Sequence, residues 1–260
     1  MNKSSLHSLG VLIGVALICS VLVSVATTSL RPIQERNQLL ERYRHVVALT
    51  GLVEDSADDD TVFQVVSQLD ARVVDLETGE FASDMDPDSV NSRSAANDPE
   101  RSSAIPADSD FAGLGRRANH EVVYLVWADQ SLSRIILPIS GQGMWSTLYG
   151  FIALEDDFNT VASTRFYEQG ETAGIGDQVE DPAWQAQWQG RRLFDDSGNV
   201  RFRVAGGSVD PSAASAAYEV DGLTGATVTG GAVTNLVRYW FGPHGYGQLL
   251  SKMSERPPER

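Results

Sequence analysis

Residues 9–30 read LGVLIGVALICSVLVSVATTSL, without a single charged side chain. Coiled as a helix, the run rises about 33 Å, enough to cross a hydrocarbon core of about 30 Å. Two fates compete for it. Ser24, Val25 and Ala26 offer the small residues that a signal peptidase accepts, so the segment reads as a cleavable leader on that criterion. The apolar run continues past that tripeptide to a complete span, which favours a retained anchor. A lipoprotein signal is disfavoured, because Ile18 stands before Cys19 where a small residue is wanted. Lys3 flanks one end and Arg31 and Arg36 the other, so the positive-inside rule is nearly balanced and does not orient the span. Ser5, Ser8, Gly10 and Gly14 either let another helix approach closely or are simply tolerated in an apolar helix.

The remainder of the 260 residues is long enough for one medium domain or two small ones. A net charge of −15 argues against nucleic acid, since a polyanion gains affinity by releasing counterions to Lys and Arg. Cys19 is the one cysteine, so an intrachain disulfide is impossible and cysteine-ligated clusters are excluded within this chain. His7, His45, His120 and His244 are scattered without metal-ligand spacing, and a metal-free protein is the default.

Pro32 is expected to end the span. Ile33, Leu39, Leu40, Tyr43, Val46 and Val47 then recur at helical spacing, which predicts a stalk helix or one packed on the domain. Between residues 54 and 106 the chain turns acidic and rich in Ser, Asp and Pro, and reads as peripheral with long loops. Within it, FQVVSQLDARVVDLETGEF suggests a short helix and a strand. From residue 120 four runs rich in Val, Ile, Tyr and Phe follow one another across short polar connections, the pattern of an antiparallel meander. Asp181 and Pro182 then mark a helix start, with Trp184 and Trp188 four residues apart on one face. RFRVAGG adds a strand. The class is α+β, a twisted, mainly antiparallel sheet with flanking helices.

Residues 221–230, DGLTGATVTG, place three threonines and three glycines just before GAVTNLVRYWFGP. In that following stretch Val233, Leu236, Val237 and Trp240 have helical spacing, Pro243 lies beyond the end, and Thr229 is a reasonable N-cap. Glycine and threonine ahead of a helix N-terminus suit an anion, because unsatisfied N–H groups and the helix dipole both favour phosphate. The lysine of a nucleotide-hydrolase phosphate loop is missing, and so is the GxGxxG spacing of dinucleotide folds. An ordinary capped turn and a phosphate-binding turn both remain open on physical grounds.

DGLTGAT also resembles the flavinylation motif Asp-x-x-(Ser/Thr)-Gly-Ala-Thr, in which a flavin transferase uses FAD to attach FMN to a threonine. The chain more broadly is similar to the C subunits of sodium-translocating NADH:quinone reductases. ARVVDLETGEF, RRANHEVVYLV, PISGQGMWSTLYGFIAL, YEQGETAGIGDQVEDPAWQAQWQGR and VDGLTGATVTGGAV carry that resemblance in order. It implies that Thr227 bears covalent FMN, with Thr229 as the local competitor. Asp221, Thr224, Gly225 and Ala226 would be read by the transferase and would surround the phosphate, or would simply form the turn. Two blocks are similar to the family's ring-binding segments. GQGMWS offers Gly141, Gly143, Trp145 and Ser146, where Trp145 either walls the flavin or is a core residue. GETAGIG offers Glu171, Thr172, Gly174 and Ile175, where Glu171 is either a flavin contact or a solvated loop carboxylate. Ala173 and Ile175 stand where the family usually has proline and leucine, a departure bearing on loop geometry alone.

The resemblance implies the following organisation: a tail at 1–8, a transmembrane helix at 9–30, a stalk and peripheral region at 31–119, an FMN-binding domain at 120–250 and a tail at 251–260. It further implies an electron-relay subunit of a sodium-pumping NADH:ubiquinone oxidoreductase in the bacterial inner membrane, its soluble domain facing the periplasm. Its partners would be the other subunits, a second flavinylated membrane subunit among them, and the flavin transferase during maturation. No sodium path, general acid–base pair or nucleophile–base arrangement is visible in the residues. Two other readings stay open, the FMN-bearing G subunit of the related Rnf complex and a membrane-anchored scaffold without cofactor.

Overall fold

The computed structural model describes residues 3–53 and 58–260, with side chains described at 12–31, 40, 43–53 and 58–260. Ser5, Ser8, Gly10, Ile33 and Leu39, along with part of the acidic run near residue 54, therefore lie outside the described side chains. The residues group into two compact units, Met1–Arg44 and His45–Arg260.

The first unit is helical. Helix α1 spans Lys3–Thr50, and its stretch Leu12–Arg31 has a mean hydropathy of 2.2 with none of it buried in the structure. By length and composition this stretch can cross a bilayer. Contrary to expectation, Pro32 does not end the helix, which continues to Thr50. Proline removes one backbone donor and crowds the preceding turn, but the cost is confined to that turn, and helix-compatible sequence continues on both sides.

The second unit is built on a six-stranded antiparallel sheet. In chain order its elements are α2 (Asp59–Gln68), β1 (Asp70–Asp75), β2 (Glu80–Phe81), α3 (Ser92–Ala96), β3 (Ser102–Ala104), β4 (Arg116–Ala118), β5 (His120–Ala128), β6 (Ser131–Gln142), β7 (Thr147–Glu155), β8 (Val161–Glu168), α4 (Pro182–Ala186), β9 (Arg203–Val204), β10 (Glu219–Val220), α5 (Thr227–Trp240) and α6 (Gly247–Glu255). The main sheet runs β2-β1-β5-β6-β7-β8, so the four consecutive apolar runs form the expected meander. The sheet also draws in the stretch read as peripheral. β1 pairs along β5 from Asp70↔Leu125 to Asp75↔His120, and Val73, Val74 and Leu76 are buried. RFRVAGG contributes only the short β9, paired in parallel with β10.

Both faces of the sheet are covered, which explains why its strands read as nearly unbroken apolar runs. Alternate residues of β5 feed two separate cores. Val123 and Leu125 join Ile135, Leu137, Ile152, Trp188, Val233, Leu236 and Val237 on one side, whereas Val122, Tyr124 and Val126 join Val46, Leu49, Ile136 and Phe151 on the other. The helical spacing noted for α5 is the spacing of its buried face, since Val233, Leu236 and Val237 are all 0 % exposed. α5 lies along β6, and the Trp240 Nε1–H donates to the carbonyl of Ser140 at 2.7 Å. α4 begins as expected, its Asp181 carboxylate accepting from the Ala183 N–H at 2.7 Å, and the Trp184 and Trp188 rings meet edge to face at 5.7 Å. α6 runs past residue 250 into the expected tail, where Met253 is buried.

This arrangement sends the loop between β6 and β7, the loop after β8 and the N-terminus of α5 to one end of the sheet. Leu236, one of the buried residues of α5, packs there against the close backbone of Gly141. We expect Leu236→Ala to lower unfolding stability by about 3 kcal/mol through cavity formation, measured as a shift in the denaturant midpoint of the detergent-solubilised chain.

Candidate functional site

At that end of the sheet three segments meet on one side chain. Glu171 is 8 % exposed, and its Oε1 accepts from the N–H groups of Trp145 at 2.9 Å and Ser146 at 3.4 Å. Its Oε2 accepts from the N–H of Met144 at 3.2 Å and from the Thr229 hydroxyl at 2.6 Å. Burial pushes this carboxyl up, but the hydrogen bonds from Thr229, Trp145, Met144 and Ser146 outweigh it and hold the group below the ordinary glutamate range. The β6–β7 loop is closed by the Gly143 N–H donating to the Ser146 carbonyl at 2.7 Å, and the Ser146 hydroxyl accepts from the Gly170 N–H at 2.6 Å. A Cβ on Gly143 would stand 2.6 Å from Glu171 Oε1, so the close approach requires glycine. Glu171 is neither a solvated loop carboxylate nor a group turned outward. It is an internal brace.

The two threonines of the hydroxyl-rich stretch are placed differently. Thr229 is 2 % exposed, and its hydroxyl is engaged by Glu171. Thr227 is exposed on the first turn of α5. The N-cap is Ala226, with φ −122° and ψ 49° and no side-chain cap, which corrects the expectation that Thr229 caps the helix. Thr229 lies inside the first turn, and its hydroxyl turns into the domain because a buried carboxylate waits there. Gly225, at φ +76°, makes the turn into the helix in a region that disfavours other side chains. Asp221 faces away from that turn. It accepts from the Val209 N–H at 2.7 Å, while its own N–H donates to Gln187 Oε1 at 3.0 Å. Thr224 is exposed, and its carbonyl accepts from Gln178 Nε2 at 2.9 Å. The same Gln178 nitrogen donates to the carbonyl of Ile175 at 2.6 Å, tying the two loops together.

Around this helix start the surface is apolar. Met144, Trp145, Ile175 and Val228 are exposed by 50, 66, 42 and 58 % respectively. Large apolar side chains left in water in one neighbourhood mark a binding surface. Ile175 Cγ2 lies 3.8 Å from the position a Cβ on Gly225 would take, so the loop bearing it abuts the turn into α5. The Thr172 carbonyl accepts from the Ile175 and Gly176 N–H groups at 3.0 and 2.9 Å, and Gly174, at φ +74°, lies within the turn between Thr172 and Ile175. An uncapped helix N-terminus suits an anion, and an exposed aromatic and aliphatic collar suits a flat apolar ring system. These residues fit a molecule that is anionic at one end and planar at the other. Sequence reasoning placed Trp145, Ile175 and Thr227 here but missed Met144, Val228 and Gln178. Their neighbours offered a signal: Met144 lies inside GQGMWS, Gln178 just beyond GETAGIG, and Val228 next to Thr227. Among the described residues, no group of three or more His, Cys, Asp or Glu side chains is placed to hold a metal ion.

Comparison with known proteins decides the family. Residues 143–242, the span that holds all three site segments, match the family model of the FMN-binding domain. The C subunit of the Na(+)-translocating NADH-quinone reductase of Pseudomonas aeruginosa is 42 % identical over 253 residues, covering 97 % of each chain. The chain belongs to the family of Na(+)-translocating NADH-quinone reductase C subunits. The C subunit of Vibrio vulnificus is 39 % identical, with 98 % of this chain and 97 % of that one covered. That of Neisseria meningitidis serogroup B is 38 % identical over 94 % of this chain and 92 % of its own. Among solved structures, the crystal structure of Shewanella oneidensis NqrC superposes with a TM-score of 0.76 at 34 % identity, covering 83 % of this chain and 97 % of that one. Relatives in this family are thus named as subunits of an oxidoreductase, and the solved relative shares the α+β fold.

The lowered pKa of Glu171 carries a pH signature. A carboxyl held below its unfolded value stabilises the fold at pH above the ordinary glutamate range, and that stability is lost as pH falls through the folded value. We expect the thermal midpoint of the unmodified chain to fall more steeply below about pH 4 than that of Glu171→Gln. Tryptophan fluorescence during melting at a series of pH values measures this difference.

Proposed function

We propose that this chain is the electron-relay subunit of a membrane Na(+)-translocating NADH-quinone reductase and carries FMN joined through its phosphate to Thr227. The observation that carries this reading is the contrast between two hydroxyls two residues apart. Thr227 presents its side chain to solvent on the first turn of an uncapped helix, whereas Thr229 is buried and engaged by Glu171. A modifying enzyme can reach the first hydroxyl and not the second. In the proposed modification, Thr227 Oγ1 forms a bond to the flavin-proximal phosphorus of FAD. The pyrophosphate linkage breaks, AMP leaves, and the hydroxyl proton passes to solvent.

Within this reading the first-turn N–H groups of α5, with the backbone at Thr224, Gly225 and Ala226, hold the phosphate. Trp145 and Ile175, flanked by Met144 and Val228, cover the ring, and Gly143, Ser146, Thr172 and Gly174 shape the loops that present them. Asp221 acts through the 206–209 loop that it holds, via the Val209 N–H, and serves the transferase's recognition of the segment. FMN supplies reversible electron transfer at a potential that its protein surroundings adjust. A tether at Thr227 keeps such a carrier from diffusing away, and the collar limits water at its apolar edge. Electrons would originate at NADH in another subunit, pass through iron–sulfur centres to this chain, and move on to a second flavinylated membrane subunit, toward ubiquinone. The stretch Leu12–Arg31 anchors the chain in the inner membrane with the second unit on the periplasmic side. Sodium pumping belongs to the complex as a whole.

Intact mass and peptide mapping test the tether. Protein from a host with an active flavin transferase is expected to carry one FMN adduct on the peptide holding Thr227. Thr227→Ala should lose the adduct entirely, and Thr229→Ser should keep it at Thr227. Recovery of residue 227 bare, in cells whose other covalent flavoproteins are fully loaded, overturns the proposal.

A further inference from the structure

We propose that Glu171 is a positioning residue: through its hydrogen bonds to residues 144–146 and to Thr229, it holds the aromatic collar in register with the first turn of α5 and so immobilises the flavin ring. The inference rests on the reading that FMN is attached at Thr227. Trp145 is the largest exposed apolar side chain at the site, yet it sits on a short loop after Gly143. That loop is fixed by its own Gly143–Ser146 bond, by the Gly170–Ser146 bond and by three N–H groups converging on one carboxylate. Without the carboxylate, the N–H groups of Met144, Trp145 and Ser146 lose this acceptor, and the loop is tied only through its base.

The fourth bond gives the brace its direction. The Thr229 hydroxyl belongs to the first turns of α5, two residues beyond the proposed attachment point, so this one side chain links the Trp145 loop directly to the helix turn that bears the tether. Gly176 completes the packing: a Cβ there would stand 2.7 Å from Glu171 Cβ and 3.0 Å from Thr229 Oγ1, so the 171–176 loop closes directly over the pair. An ionised carboxylate suits this task, because hydrogen bonds to a charged acceptor are shorter and about twice as strong as neutral ones. A ring tethered only by its ribityl phosphate would turn freely. A ring held by a fixed collar would not.

The test uses full-length protein expressed with the transferase, in which intact mass first establishes the adduct. Flavin fluorescence anisotropy and iodide quenching of the flavin are then compared among the unmodified chain, Glu171→Ala, Thr229→Val and Thr229→Ser. Glu171→Ala is expected to keep the adduct but to lower the anisotropy clearly and to raise the quenching constant at least twofold. Thr229→Val should move both in the same direction by a smaller amount, and Thr229→Ser, which restores the hydroxyl, should return both to the unmodified values. A thermal midpoint that falls while anisotropy and quenching stay unchanged overturns the inference, since it makes Glu171 merely structural. Should Glu171→Ala not fold, the Thr229→Val and Thr229→Ser pair decides by the same readouts. Absence of the adduct from the chain without substitutions counts against the tether itself and is distinguished by the initial mass.

Discussion

Four donors converge on the carboxylate of Glu171: three consecutive backbone N–H groups from the β6–β7 loop and the hydroxyl of Thr229. Removing a carboxylate from water is costly, and a buried one persists only where its lone pairs are satisfied. Each hydrogen bond to a charged group contributes about 1.5–3 kcal/mol, so four of them offset the desolvation and leave the group more acidic than usual. The geometry of the site follows from this balance. Two loops from neighbouring strands and the start of a helix distant in sequence are held to one point.

The sheet makes that convergence available. β7 and β8 pair antiparallel with Tyr149 opposite Glu168, so the loop entering β7 and the loop leaving β8 must emerge at the same end. α5 lies along β6 because its Val233–Leu236–Val237 face has nowhere drier to go, and this brings its N-terminus to those loops. The exposed side chains there, Met144, Trp145, Ile175 and Val228, stay in water because they stand on connections and a first helical turn beyond the edge of the core. The scaffold buries its own apolar residues on both faces, and what it leaves exposed is concentrated where the family's FMN-binding segment lies.

Much of the fold was legible along the chain because its signals are local. The meander from β5 to β8 shows as apolar runs of strand length, α4 as an Asp-Pro start, and α5 as a helical stripe of Val, Leu and Trp. What could not be read depended on long-range pairing or local compensation. β1 looked peripheral because an acidic, loop-rich stretch surrounds it, yet its register with β5 makes it an inner strand. Pro32 looked like a helix end because its penalty is local and the continuity of the flanking turns is not visible in one residue. Thr229 looked like a cap because threonine favours that position; the carboxylate that claims its hydroxyl lies 58 residues earlier.

By itself, the sequence determined that an uncharged segment precedes an α+β domain, that a DGLTGAT turn opens an amphipathic helix, and that two glycine-rich blocks resemble flavin-binding segments. The first two rest on residues within about one helical or strand span of one another, where propensity and periodicity act directly, and the third rests on the family resemblance. Tertiary structure alone decided which threonine faces solvent, which carboxylate is buried among four donors, and that Trp145, Ile175 and Val228 are left exposed. Those facts depend on burial and on hydrogen bonds between segments far apart in the chain, and such energies exist only once the sheet has brought the segments together.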